Sequence, residues 1–337
     1  MLNTIRATCL AVALALLAPA MANASLVTLS NLFAFGDSLS DGGNFPPGPV
    51  FPPFPYAGAR YSNGPTAVEY LWQAYNPGNP GGFTPSNTGG TNYALGGATT
   101  GHLNFNSINP SVPVPLQPVF QAAGGMLDQI AQFSAGCNAC FNPGTSLFVV
   151  WGFPNDVFIN AALGPLGLDA ATLISMGVQN ITTGIMELAA EGAQHFLVPN
   201  MVDLGATPGA RGTPAAAGLT ALTLGFNAVL AGALTSLDLA LSAEIVQFDT
   251  YSRLQNVLLD PAAYGFSNVT DQCILNLGNP ANPCDPATWL FWDGVHPTTA
   301  GHSLLGAQFA AAVPEPAILA LYGLGLAGLA FSRRRRA

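Results

Sequence analysis

Leu32-Phe33-Ala34-Phe35-Gly36-Asp37-Ser38-Leu39-Ser40-Asp41 is the stretch whose reading decides the fold. Four apolar residues, Leu32 to Phe35, read as a short buried strand. Gly36 ends it and allows a tight turn. Ser38 is thereby offered just past the C-terminal end of a strand, where open α/β sheets hold their ligands. A hydroxyl there can act as a nucleophile if a base is within reach. The plainer reading is a polar turn in which Ser or Asp caps a helix. Asp293-Gly294-Val295-His296-Pro297 lies far along the chain and places an acid and an imidazole three residues apart. The two stretches supply nucleophile, orienting carboxylate and base in the order Ser, Asp, His.

Working outward, apolar runs recur at Thr91–Leu95, Ser146–Gly152, His195–Val198 and Ile245–Asp249. Helical spacing separates them at 66–75, 124–135, 169–191 and 219–241, and a last helix is expected over 298–312. Strands alternating with helices imply a mostly parallel sheet covered on both faces. Ser38, Gly97 and Asn155 each follow a strand-like run, so one sheet edge can gather them. Residues 42–65, 76–91, 102–119 and 251–292 read as irregular. Nothing splits residues 25–312 into two domains.

The chain has 337 residues, is half hydrophobic and only 7% charged, which excludes a solvated disordered chain. It contains no lysine. Five of its eight arginines are Arg6 and Arg333 to Arg336, and one of its seventeen acids, Glu315, lies in the tail. Three arginines therefore face sixteen acids in the body, a formal −13, so nucleic acid is not an expected partner. No phosphate loop or metal-ligand cluster is present in the sequence, and no cofactor is expected.

Residues 1–24 read as a secretory signal, with Arg6, an apolar run from Cys9 to Leu17 and Ala22-Asn23-Ala24 as the cleavage site. Export through the Sec machinery follows from that reading. Removal of Cys9 leaves two local pairs, expected as the disulfides Cys137–Cys140 and Cys273–Cys284. A zinc site is the rival. Val313-Pro314-Glu315-Pro316 precedes fifteen uncharged residues and four arginines. Fifteen helical residues reach about 22 Å, a marginal membrane span that implies transient membrane association.

Four blocks in order resemble the GDSL, or SGNH, hydrolase family across most of residues 30–305. They are Gly36-Asp37-Ser38-Leu39-Ser40-Asp41, Asn92-Tyr93-Ala94-Leu95-Gly96-Gly97-Ala98, Gly152-Phe153-Pro154-Asn155-Asp156 and Asp293-Gly294-Val295-His296-Pro297. The resemblance implies a flavodoxin-like three-layer fold over 25–312 and hydrolysis of acyl esters by an esterase or lipase. It assigns Ser38 as nucleophile, His296 as general base and Asp293 as its orienting acid. It also assigns the Ser38 N–H, the Gly97 N–H and the Asn155 amide as oxyanion donors, with Gly96 as the alternative to Gly97. The third block departs from the family's Gly-x-Asn-Asp by one residue, so its loop must bulge. His102 is a further candidate to line the cleft, whereas His195 and His302 read as structural. Two other readings stand beside the esterase: a carbohydrate acetylesterase acting on envelope or extracellular polysaccharide, and a non-catalytic matrix protein that retains the fold. The tail, residues 313–337, resembles the PEP-CTERM sorting signal of Gram-negative bacteria. It implies an exosortase as partner and delivery to the envelope or the extracellular matrix.

Overall fold

Gly36 ends strand β1, Asn31–Gly36, whose last five residues are buried. The computed structural model describes residues 29–44 and 50–313, so the signal reading for 1–24 and the tail from residue 314 lie outside the described residues. Three further strands follow: β2 (Ser146–Trp151), β3 (His195–Pro199) and β4 (Glu244–Phe248). They lie side by side in the order β1-β2-β3-β4, all parallel, with Gly36 opposite Trp151 and Val198 opposite Gln247. Parallel strands need crossovers, and the helices provide them.

Eight α-helices are described: α1 (Ala67–Tyr75), α2 (Gln117–Ala123), α3 (Met126–Gly136), α4 (Pro154–Ala162), α5 (Ala170–Ala190), α6 (Ala216–Ala240), α7 (Thr250–Leu259) and α8 (Thr299–Ala312). Strand alternation sorts the core into two faces. Phe33, Phe35, Phe148, Val150, Phe196 and Val198 point to α3, α5 and α6, meeting Ile130, Phe133, Ile181, Ile185, Phe226 and Leu230. On the opposite face Trp151 and Phe248 close edge-on around Phe309 of α8, which also packs along α1. The result is an α/β three-layer fold with helices on both faces. Helix α6 is long and apolar enough to cross a membrane by length and composition. Phe226, Leu230 and Leu234 are instead buried in the core, each stabilising the fold by roughly 1.5–3 kcal/mol.

Two expectations are corrected. Thr91–Leu95 is not a strand, although it runs beside β1: Ala34 N donates to Thr91 O, Tyr93 N to Ala34 O and Leu95 N to Gly36 O. The rung between the last two, Gly36 N–H to the Tyr93 carbonyl, is missing because the Gln129 side chain of α3 takes its place. Its Oε1 accepts the Gly36 N–H and its Nε2 donates to the Gly36 carbonyl, each at 2.8 Å. Only the isolated bridge Ala34–Asn92 remains. Counted with the four strands, this segment gives the order 2-1-3-4-5, whose switch point falls between β1 and β2. Residues 251–292 are not wholly irregular either. Asp249 caps α7 by accepting from Ser252 N, and the helix spans Thr250–Leu259.

Candidate active site

At the C-terminal end of β1 the backbone takes φ +150° at Gly36, where an added Cβ would collide with the Trp151 carbonyl oxygen. Only glycine fits. The turn that follows is held by carboxylates. Asp37 Oδ1 accepts the Leu39 N–H, and Asp41 Oδ1 accepts the N–H groups of Gly43 and Asn44. Asn92 Nδ2 reaches across to the Ser40 carbonyl at 2.8 Å, so the glycine block is tied to the turn. Burial pushes the Asp37 carboxyl up to about 7, against the Leu39 N–H and the His296 charge, which pull it down.

Ser38 Oγ emerges from this turn 2.7 Å from His296 Nε2. The Asp293–His296 turn is built by one carboxylate. Asp293 Oδ1 accepts the N–H groups of Val295 and His296, at 2.9 and 2.7 Å. Its Oδ2 lies 2.8 Å from His296 Nδ1. Burial disfavours a charged imidazole, but the charge and hydrogen bond of Asp293, with a smaller pull from Asp37, hold His296 above its ordinary 6.5. Burial likewise works against the Asp293 charge, and the His296 charge, its ring N–H and the two backbone donors bring that carboxyl below the ordinary range.

Gly96 and Gly97 part company here. The Gly96 N–H donates to Asp41 Oδ2 at 2.8 Å. Gly97 takes φ +84° and lines the cleft beside Ser38, while its carbonyl accepts from Phe105 N. Asn155 lines the same cleft, with one amide hydrogen on the Ala98 carbonyl at 3.0 Å. The extra residue in its block is absorbed at Phe153, which takes φ +123°. Such a backbone is costly for a bulky residue. It is held by the buried ring, stacked on Phe226 at 3.9 Å with planes 6° apart. Pro154 then opens α4 in its first turn, where the missing N–H costs nothing.

The cleft around these groups has a volume of about 380 Å³. Phe105, Phe158, Pro154, Val202 and Leu204 give it an apolar wall, and Asn106, Asn109 and Ser111 a polar edge. His102 does not reach it: the ring pairs with Asp128 at 2.9 Å in a separate surface hollow. His302 is buried against the start of α1, where it accepts the Ala67 N–H, and His195 meets Glu244 at 3.0 Å. Among the described residues no cluster of three metal-ligating side chains occurs. Cys137 is joined to Cys140 and Cys273 to Cys284, with Cα separations of 5.1 and 5.2 Å.

Two residues at the site escape the sequence reading. Tyr56 donates from its hydroxyl to Asp293 Oδ2 at 2.9 Å, and the Tyr61 ring lies 5.2 Å from the His296 ring. Both belong to the Pro-rich loop after the nucleophile block. The only signal was the density of aromatic residues there.

The chain resembles known proteins over nearly its whole length. A relative from Pseudomonas putida, the uncharacterized protein in the trpE-trpG intergenic region, is 29% identical over 297 residues, covering 82% of this chain and 47% of the relative. Esterase EstA of Pseudomonas aeruginosa is 26% identical, covering 82% and 45%. This chain thus spans about half the length of both. A GDSL esterase/lipase of Arabidopsis thaliana is 25% identical, with 83% and 85% covered. Among solved structures, the acetylxylan esterase Axe2 of Geobacillus stearothermophilus aligns at 16% identity and a TM-score of 0.43, over 86% of this chain and 96% of that one. The model of the PEP-CTERM protein-sorting motif, a signal for export and sorting in Gram-negative bacteria, matches residues 312–336. The model of the GDSL-like lipase/acylhydrolase matches residues 32–309, and the chain belongs to that family of ester-cleaving hydrolases.

Proposed function

We propose that this protein is an exported serine esterase that cleaves acyl esters at Ser38. The observation that carries the reading is the unbroken line Ser38 Oγ, His296 Nε2, His296 Nδ1, Asp293 Oδ2, with gaps of 2.7 and 2.8 Å. In this reading Ser38 attacks the ester carbonyl while His296 takes its proton. The tetrahedral intermediate then collapses, His296 returns the proton to the leaving alcohol, and an acyl-Ser38 remains. Water, activated by the same imidazole, releases the acid. Asp293 fixes the tautomer that leaves Nε2 free to accept and stabilises the ring when charged. The developing oxyanion is met by the N–H groups of Ser38 and Gly97 and by the second amide hydrogen of Asn155. Gly97 is favoured over Gly96 because Asp41 already occupies the Gly96 N–H.

The apolar wall suits the acyl chain of a lipid or small ester. The polar edge at Asn106, Asn109 and Ser111 supports a second substrate, an acetylated glycan of the envelope or extracellular matrix to which an exosortase would deliver the chain. A non-catalytic matrix role has no support from the site, since nucleophile, base and acid are all in register. The test is hydrolysis of an ester series from acetyl to long acyl, beside acetylated polysaccharide, with Ser38→Ala as the control. Turnover that survives Ser38→Ala overturns the reading.

A further inference from the structure

The loop from Phe51 to Gly64 is absent from the chemistry just described, yet it touches both His296 and Asp293. Its Tyr56 hydroxyl donates to Asp293 Oδ2 at 2.9 Å, the same oxygen that meets the imidazole. We infer that Tyr56 is a positioning residue for the Asp293–His296 pair, held in place by a loop that works as a fixed strap. The inference rests on the esterase reading of the site.

The strap is anchored at three points and braced once within itself. Arg60 forms a two-pronged ion pair with Glu69 of α1, at 2.7 and 2.9 Å. Ser62 Oγ donates to the Pro297 carbonyl, one residue past the histidine, at 2.9 Å. Asn63 Oδ1 accepts the Thr299 N–H in the first turn of α8 at 2.8 Å. Within the strap, Ala57 N donates to the Ser62 carbonyl. Paired planar groups of this kind fix geometry as well as adding energy. The rings are held too: Tyr56 packs edge-on against Trp292 and Tyr61, and Tyr61 accepts from Asn106 Nδ2 at 2.6 Å.

Asp293 has two oxygens and several claims on them. Oδ1 accepts the two backbone N–H groups of its own turn and also lies 3.0 Å from His296 Nδ1, a little farther than Oδ2. The Tyr56 hydroxyl gives Oδ2 a second donor beside His296, so the carboxylate plane cannot swing about its Cβ–Cγ bond without breaking a hydrogen bond. Burial and the Asp293 charge both hold the Tyr56 hydroxyl far above its ordinary value, so it stays protonated and acts as a donor only. A donor on Oδ2 also shares the carboxylate charge and moderates its pull on the imidazolium. The other ionisable groups facing His296 are Asp37 from the nucleophile turn, Tyr61 from the strap and His302 from α8.

The experiment compares wild type, Tyr56→Phe, Asp293→Ala and the double variant on a soluble short-chain ester, with thermal melting as the folding control. The hydroxyl of Tyr56→Phe is lost while the ring packing stays. The expected result is a kcat about tenfold lower at unchanged KM, the size of one hydrogen bond to a charged group. The acid limb of the kcat/KM profile should move to higher pH, because Asp293 then pulls harder on the imidazolium. In the Asp293→Ala background the same change should cost nothing further. Equal losses in both backgrounds, or a lower kcat with an unmoved acid limb, would reduce Tyr56 to a packing residue. Wild-type kinetics in Tyr56→Phe, with Ser38→Ala inactive, would overturn the inference and leave the esterase reading standing. An active Ser38→Ala would instead remove the reading beneath it. If Tyr56→Phe melts early, 3-fluorotyrosine at position 56, a stronger donor of the same shape, must move the limb to lower pH; an unmoved limb overturns the inference.

Discussion

His296 Nε2 and Ser38 Oγ stand 2.7 Å apart across 258 positions of the chain. The contact joins the turn after β1 to the turn before α8, two segments near opposite ends of the described residues. Its protonation state sets the first prediction. A charged imidazole cannot accept the serine proton, and Asp293 holds His296 above 6.5. The kcat/KM profile should therefore lose activity on acidification with an apparent pKa above 6.5. Asp293→Ala removes the two larger pulls that raise the value and leaves only the smaller one of Asp37 against the burial that lowers it. The acid limb of that variant should fall below 6.5, and a limb that stays put would refute the coupling.

Asn155→Ala should lower kcat by ~10²–10³ with little change in KM, as for other lost oxyanion donors. The side chain lines the cleft with one amide hydrogen already placed on Ala98. A loss below about tenfold would mean that the second hydrogen does not reach the intermediate.

Gln129→Leu should destabilise the fold by about 1–3 kcal/mol, the penalty for a buried donor left without its partner. The Gly36 N–H would be that donor, because Leu95 still reaches the Gly36 carbonyl. Denaturant melts of both proteins check it. Equal midpoints would show that the backbone finds another partner.

Local pairing of the cysteines predicts that non-reducing peptide maps contain 137 linked to 140 and 273 linked to 284. The second bond closes the longer loop and should contribute more stability. Four free thiols, or one bound zinc per chain, would refute this.

Processing is the last expectation. Pro314-Glu315-Pro316 lies inside residues 312–336, which the sorting-motif model matches, and an exosortase is the expected processing partner. The mature protein should end near Pro316, and intact-mass analysis of material from the envelope or matrix would show it. A mass that includes residues 317–337 would make the tail a permanent anchor.

Much of this was legible locally. Leu32–Phe35 followed by glycine announced β1, and the buried runs at 146 and 195 announced β2 and β3, because a central parallel strand must be apolar on both faces; β4, at the sheet's edge and only partly buried, was marked by the short run from Ile245 to Phe248. Ser38, Asp293 and His296 stood out by residue type and order. What could not be read was contributed from a distance. Thr91–Leu95 has the composition of a strand, and only the arrival of Gln129 at Gly36 denies it that role. Helices α2 and α4 have no counterpart among the sequence-based helices; each carries a proline in its first turn, Pro118 and Pro154, where the missing N–H is tolerated. Tyr56 sits among prolines and aromatics with no period to mark it, and its meaning depends on an aspartate 237 positions away.

The Gln129 carboxamide has a bearing on transplantation. It imitates a neighbouring strand, offering one acceptor and one donor to the backbone two residues before Ser38. Copying residues 32–41 onto another sheet would therefore deliver the serine but leave its supporting edge raw. Any scaffold meant to receive this turn must bring either a real strand to that edge or a helix that presents an amide at the same height.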